Sequence, residues 1–232
     1  GTDKVYLTVQ SLAVPTEFTR REGPGRSFVL GFEPTSINVG IDVAAPLPAP
    51  DDDPYFDFDE APKFQVRRKF KVPGFSTWSA YDLGLGSWLV TPGVRAFRSG
   101  LNTETSYDPR LQARYSLNQD DSIKFAVGQY SIAPEAVESS GEFGNPSLNY
   151  ERSMHYILGW EKTWTDRWVA DIQGFYKKTI RLVSAGGSKN YQDTGDRETR
   201  GLEVFLRRNM TEKFFGWLSY TYSVSEERKS EA

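Results

Sequence analysis

The sequence predicts an all-β fold, an antiparallel up-and-down transmembrane β-barrel, on three observations. From about residue 75 onward, apolar residues recur at every second position in run after run. The connections between those runs alternate short and long. Aromatic residues gather beside the short connections. Composition agrees: aromatics make up 14% of the 232 residues, and 20 glycines and 13 prolines punctuate the chain.

The first strand is expected over residues 4–12, with Val5, Leu7 and Val9 outward and Tyr6 and Thr8 inward. Residues 27–43 hold one or two more. A long acidic and aromatic loop follows over 46–62, containing Asp51, Asp52, Asp53, Pro54, Tyr55, Phe56, Asp57, Phe58, Asp59 and Glu60. The regular alternation then sets in. Ile123, Phe125 and Val127 alternate with Lys124, Ala126 and Gly128; Tyr156, Leu158 and Trp160 with His155, Gly159 and Glu161. Trp168, Ala170 and Ile172 alternate with Val169, Asp171 and Gln173, and Leu202, Val204 and Leu206 with Glu203, Phe205 and Arg207. Leu218, Tyr220 and Tyr222 close the series against Trp217, Ser219 and Thr221. One face is apolar for lipid and the other polar for a lumen, as spanning strands require.

The connections over 85–87, 118–121, 165–167 and 209–212 read as tight turns, and those over 99–106, 132–148 and 184–198 as longer loops. Short turns on one side of a membrane and long loops on the other give this rhythm, which a Greek-key sandwich does not. Trp164 and Trp168 bracket one short turn, and Phe214, Phe215 and Trp217 follow another, as an interfacial aromatic girdle does.

Other classes find little support. A spanning helix needs about 20 consecutive apolar residues, and a mean hydropathy of -0.55 offers none. A net charge of -3 carries no electrostatic footprint for nucleic acid. Zero cysteines and one histidine remove disulfide frameworks and transition-metal clusters, so no metal and no cofactor is expected. His155 reads as a polar lumen residue, and no nucleophile elbow accompanies it, so the chain is not expected to be an enzyme. Ala185-Gly186-Gly187-Ser188 lacks the Lys-Ser/Thr of a phosphate cradle. The acidic run 51–60 lacks the spacing of a calcium loop and reads as solvated surface. The N-terminus shows no signal peptide, so a mature chain or a fragment is expected.

From Thr91 to Glu227 the chain resembles the later barrel strands of TonB-dependent outer-membrane receptors. Thr91-Pro92-Gly93-Val94-Arg95, Asp108-Pro109-Arg110, Tyr130-Ser131-Ile132-Ala133-Pro134, Phe175-Tyr176-Lys177-Lys178-Thr179-Ile180 and Gly201-Leu202-Glu203 are similar to that family's elements and come in its order. The most specific piece is Asn145-Pro146-Ser147-Leu148-Asn149-Tyr150-Glu151-Arg152-Ser153, similar to the family's Asn-Pro-x-Leu-x-Pro-Glu-x-Ser with Tyr150 in place of a proline. Barrels of this class close with about 22 strands, whereas roughly ten are read here, with neither plug domain nor closing strand. Residues 1–232 are therefore expected to be a segment of a longer receptor barrel.

The resemblance implies a bacterial outer-membrane location, outer-membrane lipid around the apolar stripe, and a TonB complex acting through a plug not present in this chain. It implies active uptake of a small-molecule or chelate ligand: a metal chelate or siderophore, a vitamin or a glycan. Ligand contact is expected in the loops 46–62, 132–148 and 184–198, with Asp51, Asp53, Tyr55, Phe56, Glu142 and Phe143 as loop candidates and Arg95 and Tyr130 as lumen candidates. Arg110, Arg114, Lys124, Lys177 and Arg207 share the lumen face, where pairing with Asp171, Glu161 and Glu203 is the competing expectation. Two rivals remain: a self-contained porin-like small barrel, and a soluble carbohydrate-binding β-sandwich. The sandwich requires Trp168, Ile172, Leu202, Leu206 and Leu218 to be buried in protein.

Overall fold

A computed structural model describes residues 4–46, 63–101, 104–136, 138–139, 144–164, 168–185, 191–209 and 214–228. They form a single antiparallel sheet of eleven elements: β1 (Lys4–Ala13), β2 (Thr16–Gly23), β3 (Arg26–Pro46), β4 (Lys63–Leu85), β5 (Trp88–Ser99), β6 (Thr105–Ser116), β7 (Asp121–Ile132), β8 (Glu151–Trp164), β9 (Trp168–Ala185), β10 (Tyr191–Arg208) and β11 (Gly216–Arg228). From β3 onward each strand pairs with the next in sequence. β1 and β2 both pair with β3 in one continuous register, Ala13 opposite Thr35 and Thr16 opposite Phe32. They are one strand interrupted at Val14-Pro15, because a proline has no N–H to give the ladder. The eleven elements thus make ten strands, and 27–43, expected to hold one or two, belongs wholly to β3.

Register turns the period-2 pattern into two faces. Phe125, Leu158, Gly174, Leu202 and Tyr222 stand in one cross-strand row, and Ile123, Trp160, Ile172, Val204 and Tyr220 in the next. These rows form an apolar outer band, on which Leu158, Leu218 and Tyr222 are 62%, 64% and 58% exposed. Among the described residues no second sheet covers this band, so the sandwich's requirement of buried Leu202, Leu218 and Trp168 fails. At the short-turn end the band finishes in Trp160, Trp164 and Trp168, with Lys162 beside the first two rings at 5.9 and 5.8 Å and Arg208 over Trp168 at 5.5 Å. These aromatics stand where the sequence places them, beside the short turns, and the alternation read for β11 holds as well. Trp217 pairs with Arg207 and so falls on the opposite face from Leu218.

The 184–198 segment also differs from expectation. β9 runs to Ala185 and β10 starts at Tyr191, so most of that segment is strand. Its polar residues offered no apolar alternation, yet backbone pairing such as Gln192 with Ser184 carries them. A bulge interrupts the ladder where Gly195 pairs with Leu182 and Asp196 with Ile180. The extra residue, Arg181, takes a left-handed φ of 59°.

The face pattern inverts along β3 and β4. Toward the short turns, outer positions carry Phe28, Leu30, Phe32 and Phe75, and inner ones Ser27, Glu33, Ser76 and Trp78. Beyond Pro34, outer positions become Ser36, Asn38, Gly40 and Asp42, opposite Lys71, Lys69 and Arg67, while Ile37, Val39, Ile41, Phe70 and Val72 turn inward. Val9 pairs with Val39 and Thr8 with Gly40. The expected sense of the first strand is therefore reversed for the residues described: Val9 is inner, and Tyr6 and Thr8 are outer. The apolar side of β3 and β4 here turns inward and is buried, with Val39, Val72 and Ile41 only 2%, 5% and 7% exposed, and Val9 follows it by register while staying 57% exposed.

Candidate functional site: the inner wall and its vestibule

The sheet curls toward its polar face. Val9 of β1 and Pro134, just after β7, line one cavity although four strands separate them in the sheet. This vestibule of about 630 Å³ is walled by Ile37, Val72, Phe97 and Ile132, with Arg95 at its edge. It lies at the long-loop end, where the inner face is apolar.

The 133–150 connection is tied to the wall by the motif that carried the resemblance. Asn145 donates through Nδ2 to the Tyr191 carbonyl at 3.0 Å, and its Oδ1 accepts from the Ser147 N–H at 3.0 Å. Asp193 accepts from the backbone and side chain of Asn149 at 2.9 and 2.8 Å. Tyr150 is fully buried, packs its ring 5.6 Å from that of Phe97, and accepts a 2.7 Å hydrogen bond from the Ser99 N–H. Burial pushes its phenol above the usual tyrosine range, and the nearby Glu104 carboxylate adds to this. Glu104 accepts from the Tyr150 N–H at 2.8 Å, from Arg152, and from Arg181 at 3.2 Å. The left-handed turn at Arg181 thus belongs to a three-way clasp. The motif ties the connection to the wall.

Below the vestibule, cations and rings alternate across the inner wall. Arg95 lies 4.9 Å over Phe97 and 4.0 Å from Asp108, which is fully buried. Asp108 also accepts from Ser106 Oγ at 2.8 Å and from Ser131 Oγ and N–H at 2.7 and 3.2 Å. Arg110 lies 4.3 Å over the ring of Tyr130, which stacks on His155 at 4.4 Å. Gly128 makes this close approach possible: a Cβ there would meet Arg110 Cγ at 3.0 Å and Tyr130 Cε2 at 3.3 Å. Register places Arg110, Gly128, His155 and Lys177 in one inner row. Among the described residues no carboxylate pairs with Arg110 or Lys177, and Arg110 Nε is buried without a partner. His155 Nε2 sits 3.0 Å from Ser153 Oγ, which accepts from Thr179 Oγ1 at 2.9 Å.

One step toward the short turns, the wall neutralises itself. Arg114 and Lys124 meet Glu161 at 2.5 and 3.5 Å, Lys124 also meets Asp171, and Gln173 donates to Glu203 at 2.6 Å. Cross-strand pairing therefore accounts for Arg114 and Lys124, while Arg110 and Lys177 remain open to whatever faces the wall.

Of the candidates read from sequence, Arg95 and Tyr130 come together on this patch. Asp51, Asp53, Tyr55, Phe56, Glu142 and Phe143 lie outside the described residues. The sequence pointed to Arg110 and Lys177 only as lumen cations. It did not single out Phe97, whose signal was its two-residue spacing from Arg95, which puts both on one face. Among the described residues no cluster of three or more His, Cys, Asp or Glu side chains could hold a metal.

Comparison with known proteins agrees with this fold. The siderophore receptor PirA of Pseudomonas aeruginosa superposes with a TM-score of 0.70 at 18% identity, covering 94% of this chain and 41% of that one. The ferric enterobactin receptor PfeA of the same organism gives 0.73 at 17% identity, over 94% of this chain and 36% of its own. The outer-membrane transporter YddB of Escherichia coli gives 0.66 at 11% identity, over 96% and 34%. At these identities the likeness concerns the fold, and the chain spans about two fifths or less of each relative's length. No curated protein sequence matches significantly. The model of the "TonB dependent receptor-like, beta-barrel" family matches residues 10–232. The chain belongs to the TonB-dependent receptor β-barrel family, whose members are transport receptors rather than enzymes.

Proposed function

We propose that this chain forms part of the wall and loops of a bacterial outer-membrane receptor that takes up a scarce nutrient by TonB-dependent transport. The outer band of β7–β11 faces lipid, and the long connections face the exterior. A plug outside this chain fills the lumen and transmits the pull of the TonB complex. The ligand is an anionic chelate with planar groups, of the siderophore kind, in preference to a vitamin or a neutral glycan. The chain supplies binding surface and no chemistry. The observation that carries this reading is the open basic and aromatic patch, Arg95 with Phe97 and Arg110 with Tyr130 and His155, beneath the vestibule. Cations stacked on rings suit an anionic planar ligand by charge and by face. The two Pseudomonas relatives, whose names give a siderophore and ferric enterobactin as ligands, favour the same class.

The test is uptake by cells that depend on the intact receptor, offered iron-55 as a triscatecholate chelate, cobalamin, or a maltodextrin. The expected result is uptake of the iron chelate alone, reduced about tenfold in Arg110→Ala, since a lost cation–π or charge-assisted contact is worth about 1.4 kcal/mol. Uptake of cobalamin or maltodextrin instead, or an Arg110→Ala variant with unchanged uptake, would sink the chelate assignment.

A further inference from the structure

The inner face of β3 and β4 carries an aromatic ring and a carboxylate that the basic patch leaves unused. Trp78 stands opposite Gly31, and its indole fills the space a side chain there would take. A Cβ on Gly31 would lie 2.0, 2.2 and 2.5 Å from three indole atoms. The indole Nε1–H donates to Glu17 at 3.0 Å, which pins the ring against the wall. Arg95 is the cross-strand neighbour of Trp78 on β5, but it turns away, over Phe97 and toward Asp108. Glu33 lies two residues from Gly31 on the same face, so it stands beside the ring. Among the described residues no cation pairs with Glu33. Other acids of this face are answered within the wall: Asp108 by Arg95, Glu161 and Asp171 by Lys124, and Glu203 by Gln173.

Glu33 and Trp78 border a hollow of about 380 Å³ that reaches Arg95, Arg110 and Gln112. Its floor is the Ala80–Gly93 pair, where a Cβ on Gly93 would meet Ser79 O at 3.0 Å and Ala80 Cβ at 3.4 Å. Arg95 also borders the vestibule, so the two spaces adjoin. The hollow is dipolar. Its β3–β4 side offers a carboxylate and a π face, and its β5–β6 side offers two guanidiniums. An indole attracts a cation over its face more strongly than the other aromatic rings do. The hydrogen bond to Glu17 adds to this, because donation to a carboxylate pushes electron density back into the ring. Glu33 then supplies the opposite charge at its side.

We propose that this hollow seats a positively charged side arm, an amine or a guanidine, of a chelate whose anionic metal-binding groups rest on Arg95 and Arg110. Arm and anionic core are joined closely, since Glu33 and Arg95 stand two strands apart, about 10 Å between backbones. The hollow is smaller than the vestibule, so it takes the arm while the vestibule holds the body of the ligand. The inference rests on the chelate reading above and adds a second charge that the ligand carries.

The experiment is calorimetric titration of the intact receptor in detergent with two synthetic ferric triscatecholate chelates. Both share one core and one aminobutyl arm, and in the second the arm is acetylated on nitrogen. The free amine is expected to bind about tenfold tighter, since acetylation removes the charge and leaves the arm in place. Glu33→Gln should erase that preference. It should leave the affinity for the acetylated chelate unchanged, which also shows that the wall is intact. Trp78→Leu should cut the preference to about twofold or less. Glu203→Gln, on the same face but far from the hollow, should leave it as it is. Equal binding of the two chelates, or a preference that survives both Glu33→Gln and Trp78→Leu, overturns the proposal. Binding of neither chelate sinks the chelate reading and this inference with it, whereas equal binding removes only the arm.

Discussion

At the scale of single residues, Asp108 and Tyr150 hold the long-loop end of the inner wall together. Asp108 is a fully buried carboxylate with Ser106, Ser131 and Arg95 around it. Its replacement by Ala leaves those donors unanswered, and a loss of about 3 kcal/mol is expected in thermal or urea unfolding of the refolded receptor. Tyr150→Phe removes the acceptor for the Ser99 N–H but keeps the ring on Phe97. The expected cost is smaller, about 1–2 kcal/mol. The resemblance marked Tyr150 as a departure from a proline, but could not say that the phenol would be buried against a strand some fifty residues earlier. Residue patterning carries period and polarity, not which distant backbone donor a hydroxyl will meet. For the same reason Arg95 and Tyr130 were legible as lumen residues, while their coupling to Phe97, Arg110 and His155 required the register.

Among the strands, legibility follows how cleanly apolar outer and polar inner positions alternate. β7 to β11 alternate over their central residues because one side of each faces the outer band, and those strands were readable in advance. β2 was not: its outer positions are Phe18, Arg20 and Glu22, and one apolar residue makes no period. Val9 was read with the wrong sense because the alternation is real but its cause is inverted, the apolar side packing inward above the band. The inner ladder of β6 to β9 gives a sharper test. Glu161 and Asp171 stand directly opposite each other, and Lys124 bonds both. Lys124→Met should destabilise the barrel by about 1–3 kcal/mol, more than Arg114→Met, because it leaves two facing carboxylates. Adding Asp171→Asn should recover part of that loss, a coupling that a double-mutant cycle in urea measures directly. If the two changes simply add, the ladder is not holding the carboxylates together.

For the molecule as a whole, the described sheet ends in β11 on one side and in the β1–β2 strand on the other, with edge groups unpaired among the described residues. Residues 1–232 expressed alone should aggregate or fail to give a heat-modifiable monomer in detergent, whereas the intact receptor should give one. A monomeric, heat-modifiable 26.3 kDa species would revive the porin-like reading. Fold class, the pairing of each strand with the next, and the faces of β7 to β11 were legible at this scale, since they follow from the period and the rhythm of connections.

The reversal of faces at Pro34, level with the Val14-Pro15 break, has a further consequence. It is a seam. On one side of it the wall is fitted to its solvent, and on the other to its own loops, and the ladder between β1 and β2 is already interrupted there. Related receptors joined at this level should exchange vestibules while each half keeps the surroundings it was selected for. Recombination across the seam is then a cheap route to new cargo, and joints placed a few residues to either side should fold poorly by comparison.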